Sequence, residues 1–175
     1  ITNGPDAYCL LVYAKVEGKI TAFLVDRTCP GFSSGTHIEK MGMRAAPMAE
    51  LMFDDCVVPA ANRLGADGGG MVHMMRNLEI ERLCLAAMSL GIADRCMDIM
   101  LRYSVERHAF GKPIADFQAI QWKLAAMATD YEAARLLTLR AARLADDKQP
   151  FSKEASMAKL FASEAAMRAA TEAVQ

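Results

Sequence analysis

The chain has 175 residues and a formal net charge of −1, and 53% of its residues are hydrophobic. That suffices for one sizeable core or a domain and a half, and the near-neutral balance excludes a large basic surface for nucleic acid. The five cysteines, Cys9, Cys29, Cys56, Cys84 and Cys96, are odd in number and widely spaced. They point to reduced thiols in a cytosolic or matrix-like compartment, not to a disulfide frame or a zinc site. His37, His73 and His108 are as scattered, so no metal site is expected. Arg, Asp or Glu interrupts each helical apolar stretch, which excludes a transmembrane span. Thirteen methionines suit adaptable core packing.

The first third reads as β. Residues 7–15 form an apolar, β-prone run, Glu17-Gly18 is a turn, and residues 20–25 return as a second strand. Pro30-Gly31 breaks the pattern. Residues 50–58 make another strand, closed by Pro59, and Gly42 marks a bend or close backbone approach. Residues 60–70, AANRLGADGGG, lack the Lys-Ser/Thr of a P-loop and the G-x-G-x-x-G spacing, so they read as a domain junction. The boundary is set at 65/66.

The rest is helical. A first helix runs from about Gly70 to Tyr103 or Val105, a second from about Asp116 to Ala145, and a third from Ser152 to Gln175. Long helices joined by short corners predict an antiparallel bundle, with a fourth helix expected beyond Gln175. Trp122, Met127, Tyr131 and Leu136 recur at helical spacing and read as core, while Arg135, Arg140 and Arg143 read as a solvated face.

The first helix is apolar on most sides, from Met71 through Met88, and is expected to be buried. Two glutamates interrupt it. Glu79 has Arg76 and Arg82 three residues away on either side and is expected to form surface pairs. Glu81 has Asn77, Leu78, Cys84 and Leu85 around it and no cation at those spacings. A carboxylate among apolar groups is desolvated toward the range of a general base. The alternative is that Glu81 faces a distant cation or water at the bundle edge.

Between the first two helices lies RHAFGKPIADFQAIQ, Arg107 to Gln121. Phe110-Gly111 turns the chain, Pro113 blocks continuation, and Asp116 is placed to cap the next helix. A guanidinium beside a helix N-terminus suits a phosphate or pyrophosphate. The plainer alternative is a helix–helix corner with a solvated Arg.

The block RYSVERHAFGKPIADFQAIQWKLAAMATD resembles the helical domain of acyl-CoA dehydrogenases. ITNGPDA resembles the family's middle β-domain, and KMGMRAAPMAELMFDDCVVPAANRLG the connection into the bundle. LEIERLCLAA is most similar to the isovaleryl-CoA branch. The resemblance implies an α+β fold: part of a middle β-domain (1–65), then part of an antiparallel C-terminal helical bundle (66–175). It also implies truncation at both ends, since the upstream FAD-binding strand and the downstream G-G-x-G and G-T-S/A regions are missing.

The family's usual base is a Glu on a C-terminal loop. The isovaleryl-type and long-chain-type branches take it from this first helix, immediately before an Arg, and that position is Glu81. The resemblance further implies FAD as cofactor. Ile1 and Thr2 match the segment touching the flavin ring. Arg107, Phe110 and Gln118 match positions that hold the adenosine-diphosphate part of a neighbouring subunit's FAD. Glu79, Ile80 and Arg82 match residues lining the acyl-CoA substrate.

The implied reaction is α,β-dehydrogenation to a trans-2-enoyl-CoA by a homodimer or homotetramer, with electrons passed to an electron-transfer flavoprotein. The implied compartment is the cytoplasm of a bacterium or the mitochondrial matrix of a eukaryote. Two competing readings keep the fold: an acyl-CoA oxidase or flavin monooxygenase relative, or a non-catalytic CoA-binding or helical scaffold paralogue. This sequence also departs from the pattern. Val72 replaces an aromatic near the substrate, and AAPMAE at 45–50 replaces a polar stretch near the flavin.

Overall fold

An antiparallel hairpin opens the fold of this computed structural model, which describes residues 1–175. Strands β1 (Cys9–Val16) and β2 (Lys19–Asp26) pair from Cys9↔Asp26 to Val16↔Lys19. Glu17 (φ 49°) and Gly18 (φ 81°) join them, the two positive φ values of a tight hairpin turn. Both expected strands are present, shifted by one or two residues. Thr21, Ala22 and Val25 of β2 are buried, and the Gly68 N–H donates to Thr21 Oγ1 at 3.0 Å.

Strands β3 (Phe32–Ser34) and β4 (Leu51–Phe53) form a second, two-stranded sheet with Phe32 opposite Phe53. The expected strand over residues 50–58 shrinks to three residues, because Asp55 takes a φ of 48° and leaves the extended region. Pro30-Gly31 is a turn into β3. Gly31 has a φ of 85°, and a Cβ there would collide with the Asp54 carbonyl and the Cys56 backbone. Gly42 is not a close approach: a Cβ on it would meet nothing, and Met43 carries the positive φ.

The 60–70 stretch is more than a junction. A 3-10 turn at Ala60–Asn62 leads into β5 (Arg63–Leu64), which pairs with β2 to give the order β1-β2-β5. Asn62 Nδ2 donates to the Leu24 carbonyl at 3.0 Å. A two-residue strand is too short to show a period of two, so sequence pattern could not reveal it.

Helix α1 (Gly70–Glu106), α2 (Gln118–Asp146) and α3 (Ser152–Val174) begin and end near their expected limits. The chain forms two compact units, Ile1–Met75 and Arg76–Gln175. In the second, the helices meet along an alanine seam. Ala86 clusters with Ala134, Ala141, Ala158 and Ala162, and Ala93 with Met127, Ala166 and Ala169. Partners of successive α1 residues therefore descend along α2 and ascend along α3, as in an antiparallel bundle. Alanine costs little side-chain entropy and lets the helix axes approach closely.

Two expectations about this unit fail. Helix α1 is not buried all round: Ile80, Met88 and Ile92 are exposed because they point away from the alanine face, and Val72 and Met75 are exposed in the first turns, before Leu83 and Ala86 meet α2 and α3. Trp122 (69% exposed) and Leu136 (57%) are also outside the core, whereas Met127 is buried and Tyr131 packs against it. The arginines behave as expected. Arg135 pairs with Glu132 at 3.2 Å and Arg143 with Asp147 at 2.9 Å, both on the surface of α2 or its end.

The seam leaves no room for larger side chains. Ala158→Leu should lower stability by about 1–3 kcal/mol through overpacking, whereas Leu139→Ala on the exposed face should change it by roughly 0.5 kcal/mol or less. Chemical denaturation of the two variants checks this, and equal effects would contradict the seam.

Candidate functional site

The sequence-predicted residues fall into three groups. The first is Ile1 and Thr2. Thr2 forms an antiparallel bridge with Met48, the Ile1 main-chain nitrogen donates to the Ala49 carbonyl at 2.6 Å, and the Asn3 N–H donates to the Pro47 carbonyl at 2.7 Å. The segment thus lies as an extra strand beside residues 47–49, part of the atypical AAPMAE stretch. Next to it is a groove of about 350 Å³ lined by His37, Lys40, Arg44 and Pro47. Lys40 Nζ is spent on the Met43 and Ala46 carbonyls, at 2.8 and 2.5 Å. Sequence reading missed this groove, because a Lys that ties down its own loop gives no periodic signal.

The second group is Glu79, Ile80, Glu81 and Arg82 on α1. At 3.6 residues per turn, Leu83, Ala86, Leu90 and Ala93 form the stripe that meets α2 and α3. Glu79 and Arg82 prolong that stripe and are half-buried; Ile80 and Glu81 are exposed. Glu81 lies about 140° around the helix from Ala86, so it points away from the seam. Its neighbours on that face include Asn77, Cys84 and Met88, all exposed.

The expected apolar enclosure of Glu81 is therefore not provided by the elements of this chain. The expected Glu79 pairs are also absent: neither Arg76 nor Arg82 comes within ion-pair distance, and all three side chains stay uncommitted. Three residues of helical spacing permit such a pair but do not enforce it, since each is worth only a few tenths of a kcal/mol.

The third group is the corner. The Arg107 N–H closes the last turn of α1 on the Tyr103 carbonyl at 2.8 Å, and the Ile114 N–H donates to the Arg107 carbonyl at 2.8 Å. Between them runs a miniature hairpin of β6 (His108–Ala109) and β7 (Lys112–Pro113). Phe110 (φ 52°) and Gly111 (φ 81°) form its turn. A bulky residue at positive φ is strained, and Phe110 is also 97% exposed. Its ring meets Phe117 edge-on at 6.2 Å, and Lys112 Nζ lies 4.4 Å from the Phe117 ring centroid.

The expected Asp116 cap is not formed. Asp116 sits in a 3-10 turn, Ile114–Asp116, and α2 starts at Gln118 behind Phe117 with no side-chain cap. The tight turn forced by Pro113 moves the start of the helix two residues on. The first N–H groups of α2 are thus left without a carboxylate. Arg107 forms no ion pair, and Arg107, Phe110 and Gln118 are all exposed. Lys112 is a second cation here, legible as the Lys after Gly111 but not singled out by the sequence reading. The corner therefore offers two cations, an uncapped helix start and an aromatic face to an anionic ligand carrying a ring.

Residues 68–175 match the family description "Acyl-CoA dehydrogenase, C-terminal domain", and residues 1–56 match "Acyl-CoA dehydrogenase, middle domain". The chain belongs to the acyl-CoA dehydrogenase family. It is 44% identical over 180 residues to the mitochondrial short-chain specific acyl-CoA dehydrogenase of Rattus norvegicus, spanning all of this chain and 44% of that protein. It is 41% identical over 179 residues to the mitochondrial isovaleryl-CoA dehydrogenase of Oryza sativa, spanning 99% of this chain and 44% of that protein.

Among solved structures, butyryl-CoA dehydrogenase from Megasphaera elsdenii superposes with a TM-score of 0.95 at 42% identity, over 99% of this chain and 47% of that one. The prolyl acyl carrier protein oxidase AnaB superposes with a TM-score of 0.95 at 35% identity, over the same shares. The chain thus spans a little under half the length of the relatives it matches.

Phe110 combines a left-handed backbone with a ring that is 97% exposed and meets only the edge of Phe117. Phe110→Gly should leave thermal stability unchanged or raise it by up to about 1 kcal/mol, the relief of a left-handed non-glycine residue. A loss of stability would show that the ring holds the corner together.

Proposed function

We propose that this chain is the substrate-facing and subunit-facing part of an FAD-dependent acyl-CoA dehydrogenase that converts an acyl-CoA thioester to its trans-2-enoyl-CoA. The observation that carries the reading is the placement of Glu81. It sits in LEIERLCLAA, exposed on the face of α1 turned away from the bundle seam, and forms no ion pair. Glu81 takes the proton from the α-carbon, which the thioester carbonyl has acidified. Closure of an apolar wall over that exposed face would exclude water from the reacting carbon. Glu79, Ile80 and Arg82 are the substrate-lining residues of this reading, with Ile80 exposed next to Glu81 and Glu79 and Arg82 on the seam side of α1. Ile80 supplies apolar contact, and the Arg82 guanidinium, which forms no ion pair, is available to the thioester end.

The corner fits the diphosphate of a dinucleotide cofactor. Arg107 is free of ion pairs, the start of α2 is uncapped, and Phe110 projects into solvent. Arg107 would hold the pyrophosphate, Gln118 would donate beside it, and Phe110 would cover the adenosine part. Ile1 and Thr2 would lie against the ring system. FAD, when bound, supplies the acceptor for the hydride leaving the β-carbon.

Along α1, Glu81 and Arg107 are ~39 Å apart at 1.5 Å per residue. One extended dinucleotide does not reach from the reacting carbon beside Glu81 to a diphosphate at Arg107. The corner therefore serves the cofactor of another copy, and the working unit is a homodimer or homotetramer. An electron-transfer flavoprotein is the electron acceptor, and the compartment is bacterial cytoplasm or mitochondrial matrix.

The superposition on an acyl carrier protein oxidase favours one second reading, in which oxygen is the acceptor. Peroxide release equal to product formed, with no reduction of an artificial electron carrier, would establish it.

Glu81→Gln in the full-length protein should lower turnover about 10²–10⁴-fold, while acyl-CoA affinity and flavin content stay as in the wild type. Turnover near wild type would place the base outside this chain. Arg107→Ala should reduce the flavin-to-protein ratio after gel filtration and shift the oligomer toward smaller species. A full flavin complement in that variant would remove Arg107 from the cofactor site.

A further inference from the structure

We infer that Cys29 and Cys56 form a reversible oxidation site, closing to a disulfide across the base of the β3–β4 hairpin. Three observations bring the two residues together. The β3–β4 pairing continues outward to Gly31 and Asp54, whose N–H donates to the Gly31 carbonyl at 2.9 Å. Beyond that pair, a Cβ on Gly31 would lie 2.9 Å from both the Cα and the nitrogen of Cys56, so the two backbones are in contact two residues from Cys29. Cys29 Sγ in turn reaches across to the carbonyl of Val57, next to Cys56, at 3.9 Å.

The thiols also sense each other. Partial burial, then the charge and hydrogen bonding of the Cys29 thiol, push the Cys56 thiol above its ordinary value. The side-chain hydrogen bond that raises the Cys56 thiol comes from Cys29, so the two sulfurs already face each other at the open end of the hairpin. The remaining cysteines lack this arrangement. Cys9 and Cys84 are exposed on β1 and α1, and Cys96 packs in the helix seam.

Glutathione disulfide is a sufficient oxidant. One cysteine thiolate attacks a glutathione sulfur, forms a mixed disulfide and expels one glutathione thiolate. The second cysteine thiolate attacks the protein-side sulfur, forms the Cys29–Cys56 bond and expels the other glutathione thiolate. Two protein thiols are oxidised and one glutathione disulfide is reduced. The two protons lost by the cysteines end on the two glutathiones. The bond ties off the loop that carries Lys40, Arg44 and the residues paired with Ile1–Asn3. In a reducing compartment such a bond is transient and reports the thiol balance. The inference does not depend on the role of Glu81.

The test is thiol mapping of the whole protein. Reduced protein is incubated with glutathione disulfide, quenched with iodoacetamide and digested without reductant for mass analysis. The expected result is a peptide pair joined through Cys29 and Cys56, lost on treatment with dithiothreitol, while Cys9 and Cys84 are alkylated or carry single glutathione adducts. Cys56→Ser should remove the joined pair and leave a glutathione adduct on Cys29. Wild-type protein in which Cys29 and Cys56 are alkylated as fully as Cys9, with no joined pair, overturns the inference. So does a joined pair that uses any other cysteine.

Discussion

The alanine face of α1 sets which way every other side chain of that helix points. Ala86 and Ala93 are buried in clusters with alanines of α2 and α3, so this is the face of α1 that the bundle covers. With that face fixed, the 100° step per residue sends Glu81 outward and leaves Glu79 and Arg82 at the seam's edge. The same rigid helix, 37 residues long, carries Arg107 to its far end. One packing constraint therefore orients the proposed base and separates it from the corner that would hold a cofactor.

Apolar side chains accordingly stay on the surface of α1. Val72, Ile80, Met88 and Ile92 stay exposed on α1, and Phe110 stands in solvent at the corner. Met88 and Ile92 share the face of Glu81, whereas Ile80 and Val72 project elsewhere around the helix. The exposed side chains around Glu81 would supply the dry surroundings that a carboxylate base needs only once a ligand or another part of the protein covers them.

Much of this was legible in the sequence, and the failures have physical causes. Three long helices and the β1–β2 hairpin followed from periodicity and from Glu17-Gly18. Strands β3 and β5 were invisible because two or three residues cannot display a period. Asp116 looked like a cap by residue type, but Pro113 and the 3-10 turn after it displaced the helix start past it. Trp122 and Leu136 share helical spacing with Met127, yet spacing alone does not say which face the neighbouring helices cover. Glu81 stood out as a carboxylate without a cation, and it is one; its enclosure was not legible, since α2 and α3 pack on the opposite side of α1. The overall identities, 44% to a short-chain enzyme and 41% to an isovaleryl-CoA enzyme, do not choose the acyl group.

The central claim is that Glu81 removes the α-proton, and exchange of that proton with solvent tests it without involving the electron acceptor. Full-length protein is incubated with an acyl-CoA in deuterium oxide, and deuterium at the α-carbon is followed by mass spectrometry. The account predicts rapid α-deuteration by the wild type and a loss of at least about 100-fold in Glu81→Gln. Exchange at the wild-type rate in Glu81→Gln would contradict it and assign the base to a residue outside this chain.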